Sequence, residues 1–319
     1  MFELRVPYKI VDGVEIPTDI HVPATIKYEL TPVLLMIHGG GFILGFSKMN
    51  NRDQIQDCLD RGWIVLSLEH RLCPGVNVLD GPMTDVKDAL RWAQTGGLAA
   101  ALKKAKVDVE PDPNRVMAMG TSAGGHLALS LAWTSPTPPF AILDFYGAKH
   151  FKHEFWSNEI EQIKSRLPPH PPDSAFEHLF VEKTTFIGSQ SLEGQQQDGP
   201  NLKDPRQAFA LYSIANGRCL QAIWPSTPDR LEEIDPVLRV NPQWPPTCFV
   251  HGTADFMIPL HLSRHLESQL RAANIETEFI EVPGEPHTFV GKMVKGSKTW
   301  ETQRRGFDFL EKVLERHLN

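Results

Sequence analysis

The amino-acid sequence predicts an α/β fold in which helices cover both faces of a mostly parallel sheet. Short apolar runs at residues 33–37, 63–68, 140–145 and 247–250 are typical of buried strands, and helical patterns separate them. This alternation favours parallel strands joined by right-handed crossovers. Because parallel strands end at one edge of the sheet, we expect the residues that follow them to form the functional site.

The remaining elements are predicted from local patterns. Residues 2–10 and 14–22 read as two strands of a hairpin, because the link between them contains Asp12-Gly13, a typical tight-turn pair. Residues 276–282 form a further strand. Apolar residues at helical spacing predict helices over four segments: 51–61, 82–104, 259–272 and 297–317.

Charge and composition exclude several functional classes. The chain of 319 residues has a net charge of −7 and no tract rich in lysine and arginine, which argues against a nucleic-acid partner. No stretch approaches the roughly 18 apolar residues of a membrane span, so we expect a soluble cytoplasmic protein that does not bind membranes. The four cysteines are scattered without the spacing of metal ligands, so no metal or cofactor is expected.

Residues 115–134 contain the most informative segment. An apolar run leads into Gly120-Thr121-Ser122-Ala123-Gly124, and a second apolar run follows. The pattern predicts a strand, a sharp turn with Ser122 at its tip, and a helix. Glycine on either side of the serine lets strand and helix pass without a side-chain collision. A turn that merely happens to carry a serine is the alternative, and other segments must decide between the two.

A run of three glycines supplies the second signal. The strand at 33–37 leads into His38-Gly39-Gly40-Gly41, and consecutive glycines cost stability because each loses extra backbone entropy on folding. A loop whose bare amides approach a substrate oxygen, that is, an oxyanion hole, explains them. A phosphate-binding loop is the competing hypothesis, but neither the Lys-Ser/Thr ending nor the G-x-G-x-x-G spacing is present.

Strand ends also select an acid and a base. Asp255 and His287 each follow a predicted strand, in the order Ser, Asp, His that suits this type of fold. We therefore assign Ser122 as nucleophile, His287 as general base and Asp255 as the carboxylate that orients it. His251 lies before the acid and is assigned a structural or supporting role. Three other histidines lie in an irregular region and are weaker candidates: His153, His170 and His178.

These motifs together resemble the hormone-sensitive-lipase-like esterases of the α/β-hydrolase superfamily. The resemblance covers roughly residues 33–147 and 245–317. It rests on the H-G-G-G-F loop at 38–42, the G-T-S-A-G-G elbow at 120–125 and the H-R-L-C-P segment at 70–74. The contexts of Asp255 and His287 are also similar. The resemblance implies an α/β-hydrolase fold, the same catalytic triad, and oxyanion donors at the backbone amides of Gly40, Gly41 and Ala123.

The middle of the chain breaks the strand and helix alternation. Fifteen of the 26 prolines fall between residues 135 and 246. We predict a hydrolase core at 1–146 and 246–319, with 147–245 inserted as a cap or lid that supplies an apolar pocket. The polar run at 189–199 is expected to be a mobile loop within this cap.

The predicted function is hydrolysis of a carboxylic ester, or a related acyl bond, of a small and fairly apolar molecule through an acyl-serine. Two alternatives stay open. The same triad could serve a biosynthetic acyl-processing enzyme, such as a thioesterase, a lactone-forming enzyme or an acyltransferase of secondary metabolism. The fold could also act as a non-catalytic small-molecule receptor. The last strand and helix form a sheet edge through which a homodimer is expected.

Overall fold

Eight strands build one sheet in the described part of the computed structural model, which comprises residues 2–181, 186–188, 200–289 and 293–316. The strands are β1 (Phe2–Val11), β2 (Val14–Val22), β3 (Thr31–Ile37), β4 (Ile64–Leu68), β5 (Pro111–Thr121), β6 (Ile142–Phe145), β7 (Thr247–Gly252) and β8 (Thr277–Val282). Their order is β1-β2-β4-β3-β5-β6-β7-β8. Strand β2 is antiparallel to both neighbours, and all pairs from β4 to β8 are parallel.

The predicted hairpin is confirmed. Val11 pairs with Val14 in the β1–β2 ladder, so Asp12 and Gly13 alone form the turn. Both have positive φ, 49° and 79°. Left-handed backbone at both central positions matches the right-handed twist of the two strands, which explains the Asp-Gly pair.

Helices cover both faces of the sheet, as predicted. The α-helices are α1 (Arg52–Asp60), α2 (Thr84–Gln94), α3 (Gly97–Lys104), α4 (Ala123–Thr134), α5 (Glu161–Lys164), α6 (Pro205–Ala215), α7 (Cys219–Ile223), α8 (Leu260–Ala272) and α9 (Lys298–Glu315). A π-helical turn at Leu79–Met83 precedes α2. Short 3-10 helices lie at Ser47–Met49, Glu154–Ser157, Asp173–Ala175, Glu177–Leu179, Leu231–Glu233, Pro236–Arg239 and His287–Phe289.

Strand β3 shows how the two faces are filled. Leu35 and Ile37 belong to a core shared with α2, α4 and α8, whereas Leu34 and Met36 belong to a second core shared with α1 and α9. All seven residues of β3 are buried. A continuous apolar run is therefore required here, because a strand covered on both faces has no solvent side.

The single helix predicted over 82–104 is wrong in one respect. The structure contains two helices, α2 and α3, separated at Thr95 and Gly96. Gly96 has a φ of 91°, a left-handed conformation that ends α2 and that residues with a side chain rarely adopt. The Gly96-Gly97 pair thus redirects the chain before the Ala- and Leu-rich second helix.

Residues 147–245 lie between β6 and β7 and contribute none of the eight strands of the described sheet. Buried polar contacts attach this segment to the rest of the chain. Arg206 of α6 donates to the carbonyl oxygens of Cys73, at 2.6 Å, and Ile43, at 3.2 Å. The polar run at 189–199 lies outside the described residues. Among the described helices, none combines the length and the apolar character needed to cross a bilayer.

Candidate active site

Ser122 stands at a sharp turn between β5 and α4. Its φ of 53° and ψ of −118° place it outside the regions that L-residues favour. The flanking glycines are required sterically, as predicted. A Cβ on Gly120 would lie 2.0 Å from the carbonyl oxygen of Gly124, and a Cβ on Gly124 would lie 2.1 Å from that of Ile37. The strained turn is thus possible only where strand and helix can touch backbone to backbone.

The structure brings Ser122, His287 and Asp255 together. The Oγ of Ser122 lies 2.9 Å from Nε2 of His287, and Nδ1 of His287 lies 2.7 Å from Oδ2 of Asp255. A carboxylate only accepts, so Nδ1 of His287 carries the proton and Nε2 accepts from the serine hydroxyl. In sequence, His287 is 32 residues from Asp255 and 165 residues from Ser122. The three side chains nevertheless form one hydrogen-bonded line.

Both oxygens of Asp255 are engaged. Oδ1 accepts the backbone N–H groups of Met257 and Ile258, each at 2.9 Å. Oδ2 faces Nε2 of His251 at 3.2 Å as well as His287. Burial alone would raise the pKa of Asp255, but the two histidines lower it below its ordinary value. The carboxylate is therefore held in its charged form.

The glycine loop turns sharply beside the serine. Gly40 and Gly41 both have positive φ, 110° and 61°, and a Cβ on Gly40 would lie 2.2 Å from the carbonyl oxygen of Leu44. The N–H groups of Ile43 and Leu44 close the loop by donating to the Gly40 carbonyl oxygen. Gly40 and Gly41 line the same cavity as Ser122, and so does Ala123, the third predicted oxyanion donor.

His38, which opens the glycine loop, stacks on a second histidine. Its ring lies 4.2 Å from that of His70 and is tilted by only 13°. Its Nδ1 lies 2.8 Å from the carbonyl oxygen of Gly39. Burial, together with the charge that His70 can carry, lowers the pKa of His38 well below its ordinary value. His38 is thus a neutral support for the loop.

A cavity of about 310 Å³ opens over Ser122. Apolar side chains dominate its wall. Besides the serine, the histidine and the oxyanion loop, it is lined by Phe42, Ala148, Phe155, Trp156, Asn158, Ile160, Ile214, Gly217, Cys219, Phe256, Met257, Ile258, Pro286 and Thr288. Eight of these fourteen residues come from segment 147–245: Ala148 just after β6, four residues of the 155–160 turn, Ile214 of α6, Gly217 in the α6–α7 link and Cys219 at the start of α7.

The other four histidines considered from the sequence are not part of the triad geometry of Ser122, His287 and Asp255. His251 contacts Asp255, which agrees with its predicted supporting role. His153 accepts a hydrogen bond from the backbone of Phe155 through Nδ1. His170 packs edge-on against Tyr212, and His178 is exposed on a short 3-10 helix. None of these three lines the cavity.

The cysteines are free thiols, and the described residues hold no group of side chains that could bind a metal ion. Cys58, Cys73 and Cys248 are buried, and burial raises the pKa of each thiol. Cys219 lines the cavity, and burial raises its pKa to about 12. A thiol held in its protonated form is a poor nucleophile, so Cys219 acts as part of the apolar wall.

Several residues at the site were not identified from the sequence. Tyr146 packs edge-to-face on the His287 ring at 4.8 Å, and Lys149 is fully buried nearby. Phe256 and Met257 form cavity wall directly after Asp255. Their position just beyond β6 and β7 was the available signal, because strand ends meet at this edge of the sheet.

Comparison with known proteins gives three findings. Residues 18–162 match the family model described as BD-FAE. The non-reducing polyketide synthases ausA of Aspergillus calidoustus and Preu6 of Preussia isomera are 31% and 32% identical to the chain over 87% and 96% of its length. The chain spans only 12% and 14% of these two relatives.

Solved structures of an esterase share the fold. The apo form of Thermogutta terrifontis esterase 2 aligns over 98% of this chain and 94% of that protein, with a TM-score of 0.63 and 19% identity. Its propionate-bound form gives a TM-score of 0.61 at 20% identity, with the same coverage. The chain therefore has the α/β-hydrolase fold, and its residues 18–162 are similar to the BD-FAE family.

Proposed function

We propose that the protein is a serine hydrolase that cleaves a carboxylic ester of a small, neutral and largely apolar molecule. One observation carries the proposal: Ser122, His287 and Asp255 form a hydrogen-bonded line, 2.9 Å and 2.7 Å per step, in the wall of an apolar cavity. Such a line activates a serine hydroxyl that is otherwise a weak nucleophile. The esterase fold of the structural neighbours supports hydrolase chemistry.

In the proposed acylation, Oγ of Ser122 bonds to the ester carbonyl carbon while its proton passes to Nε2 of His287. The negative charge of Asp255 stabilises the imidazolium that forms. The carbonyl oxygen becomes an oxyanion facing the N–H groups of Gly40, Gly41 and Ala123. When the tetrahedral intermediate collapses, the bond to the alcohol oxygen breaks, and the leaving alcohol takes the proton back from His287.

Deacylation reverses the roles with water as the nucleophile. Nε2 of His287 accepts a proton from water as the water oxygen bonds to the acyl carbon. The intermediate then releases the acid, and Oγ of Ser122 regains its proton from His287. Asp255 orients the imidazole in both halves of the cycle, so no external base is needed.

The cavity supports a neutral, apolar substrate. Its wall is formed mainly by aliphatic and aromatic side chains, including Phe155, Trp156 and Phe256. Among the described residues that line the cavity, His287 and the Cys219 thiol are the only ionisable groups. A charged substrate would lose its hydration there without gaining a counter-ion. We therefore propose that segment 147–245 acts as a cap that selects the substrate.

Active-site labelling tests this proposal. A fluorophosphonate probe should label the wild-type protein at one serine, and the protein should hydrolyse short p-nitrophenyl esters with a burst of one nitrophenol per chain. Ser122→Ala should abolish labelling and lower kcat by about 10⁶-fold. Ser130→Ala is the matched control, because Ser130 is also buried, lies on α4 and uses its hydroxyl to donate to the Leu127 carbonyl oxygen. Ester hydrolysis by the Ser122→Ala variant at the wild-type rate would contradict the proposal.

A second function is favoured by the named relatives. The polyketide synthases match the chain over nearly its whole length, so we also propose that the acyl-serine could form from a biosynthetic thioester, as in secondary metabolism. To separate the two functions, kcat/KM is measured for an ester and for an N-acetylcysteamine thioester that carry the same acyl group. A lactone among the products, detected by mass, would indicate intramolecular capture of the acyl group. A non-catalytic receptor would instead bind its ligand equally well in the wild-type protein and in the Ser122→Ala variant. The fluorophosphonate would not label it.

A further inference from the structure

A line of buried hydrogen bonds continues beyond Asp255, away from the serine. His251 lies 3.2 Å from Oδ2 of Asp255 through Nε2 and 2.9 Å from Oγ of Ser263 through Nδ1. Ser263 Oγ in turn lies 2.8 Å from Nζ of Lys149. Lys149 and Ser263 are fully buried, and His251 is 1% exposed. Two polar side chains, His251 and Ser263, thus connect the carboxylate to a lysine inside the core.

Lys149 uses all three of its N–H donors. Nζ contacts Oδ2 of Asp144 at 2.6 Å, the carbonyl oxygen of Gly147 at 2.5 Å and Ser263 at 2.8 Å. Burial lowers the pKa of this lysine, and the buried Asp144 carboxylate opposes that shift. Three acceptors around one nitrogen, one of them a carboxylate, match the three donors of an ammonium group.

The donors and acceptors fix the direction of the line. Lys149 can only donate, so the Ser263 oxygen accepts from it and the Ser263 hydroxyl hydrogen is free to point at Nδ1 of His251. Nε2 of His251 faces two acceptors, the Ile258 carbonyl oxygen at 2.8 Å and Asp255. Nε2 must therefore carry the proton, and Nδ1 accepts. The groups around His251 thus favour the tautomer with its proton on Nε2.

The charge of His251 matters because Oδ2 of Asp255 serves two histidines. His287 Nδ1 lies 2.7 Å from this oxygen and His251 Nε2 lies 3.2 Å from it. In the proposed reaction His287 becomes an imidazolium and draws on the Asp255 charge. A second imidazolium at His251 would neutralise that charge in advance and weaken His287 as a base.

We propose that Lys149, acting through Ser263, holds His251 as the neutral Nε2–H tautomer and thereby reserves the charge of Asp255 for His287. A cation two hydrogen bonds away disfavours a second positive charge on His251, and the Ser263 hydroxyl occupies the nitrogen that would receive it. Lys149, Ser263 and His251 are positioning residues. The catalytic consequence rests on the proposed function, whereas the tautomer does not.

The other groups that face His251 come from three elements. Asp144, the counter-ion of Lys149, lies at the end of β6, and Tyr146 follows it with its ring 6.4 Å from that of His251. The segment after β7 supplies Asp255, and α8 supplies Ser263. Lys149 is the one cationic group among these neighbours, and Asp144 is its counter-ion.

The first test removes the buried ion pair as a unit. Lys149→Met with Asp144→Asn leaves no buried charge unpaired, and an asparagine oxygen can still accept from the Gly147 N–H. Nitrogen NMR of ¹⁵N-histidine-labelled protein reads the tautomer directly, with His251 assigned by a His251→Asn variant. The wild type should show the Nε2–H tautomer of His251, with no proton on Nδ1. The double variant should show a proton on Nδ1 of His251.

Kinetics give the second readout. In the double variant we expect kcat to fall about tenfold with KM unchanged, and the acid limb of the kcat/KM profile to move about one pH unit lower. Ser263→Ala removes only the hydroxyl that connects Lys149 to His251. It should lower kcat about fivefold and give a mixture of the two His251 tautomers. Ser130→Ala, the same change at an equally buried serine, should alter neither quantity.

Two results would overturn the proposal: a wild-type His251 that carries its proton on Nδ1 or on both nitrogens, or variants with altered stability but an unchanged tautomer and pH profile. Because the NMR measurement needs no turnover, it decides the tautomer even for a protein without esterase activity. Fluorophosphonate labelling of Ser122 separately reports whether the proposed function holds.

Discussion

Asp255 is fixed at both oxygens before any substrate arrives, because two backbone N–H groups hold Oδ1 and two imidazoles face Oδ2. Its carboxylate therefore has little freedom to rotate away from His287. Such preorganisation matters in catalysis, since a ring that must be reoriented during the reaction adds to the barrier.

Replacing this carboxylate with an amide tests its role. Asp255→Asn keeps the shape and can accept the Met257 and Ile258 N–H groups, but it cannot hold the proton of His287 on Nδ1. We expect kcat to fall about 10⁴-fold while KM stays near the wild-type value. Ester hydrolysis measured with short p-nitrophenyl esters checks this. A loss of less than tenfold would remove Asp255 from the proposed triad.

His126, on α4 directly behind Ser122, predicts a loss of stability in acid. It is fully buried between Phe42 and Phe151, and burial lowers its pKa to about 3. The unfolded chain has a pKa near 6.5 for this ring and so binds more protons between pH 6.5 and pH 3. The stabilisation is complete above pH 6.5 and is lost as the pH falls toward about 3, by about 1.4 kcal/mol per pH unit.

His126→Asn should remove that part of the pH dependence. The amide can still donate to the carbonyl oxygen of Ala148, as Nδ1 does at 3.0 Å, but it does not titrate. Urea unfolding at pH 7, 6, 5 and 4 should give a shallower slope of the unfolding free energy for the variant, even though its stability at pH 7 is lower. Parallel slopes for the two proteins would contradict the assignment.

At the scale of elements, α6 connects the cavity wall to the glycine loop. Arg206 near its start contacts the carbonyl oxygens of Ile43 and Cys73, and its guanidinium lies 3.8 Å from the centre of the Phe186 ring. Ile214 near its end lines the cavity. One planar cation thus sets the position of a whole helix, a role that a lysine ammonium fills poorly.

Arg206→Lys is expected to lower the free energy of unfolding by about 2 kcal/mol, because buried acceptors lose their donors. It should raise KM with little change in kcat, since α6 supplies Ile214 to the cavity wall but none of the three reacting residues. Arg218→Lys is the matched control, because Arg218 lies in the same segment, is exposed and contacts Asp173 at 3.4 Å. A fall in kcat at constant KM would contradict the expectation that Arg206 affects substrate binding rather than the chemical step.

The helical region at 82–104 shows what local patterns conceal. The residues after Gly97 are strong helix formers, and this propensity favours one continuous helix. The break is set instead by the left-handed Gly96, whose φ cannot be read from periodicity. The Gly-Gly pair was the available signal, and it was outweighed by the apolar spacing on either side.

For the molecule as a whole, the sheet and the placement of Ser122, Asp255 and His287 could be predicted because each of these residues comes after a predicted strand. The contact between Lys149 and Ser263 could not, because 114 residues separate them and only the packing of α8 joins them. A buried lysine also runs against the usual preference of that side chain for solvent. Pairwise contacts across the sheet therefore required the tertiary structure.

The homodimer stays a prediction. In the described sheet β8 is an edge strand that pairs only with β7, and an open edge offers backbone groups to a second copy. We expect a molecular mass of about twice that of one chain, 35.9 kDa, by sedimentation equilibrium at micromolar concentration. A single species of one-chain mass at all concentrations tested would rule the dimer out.

The origin of the cavity wall has a consequence for how the protein can diversify. Ser122, Asp255 and His287 all come from outside segment 147–245, whereas that segment supplies much of the surface a substrate would touch. We therefore expect changes at the cavity-lining residues of the segment to alter which molecules are accepted, as long as Lys149, which contacts the line of residues behind Asp255, is kept. Exchange of residues 150–245 between related chains is then a direct route, in evolution and in engineering, to a new substrate range.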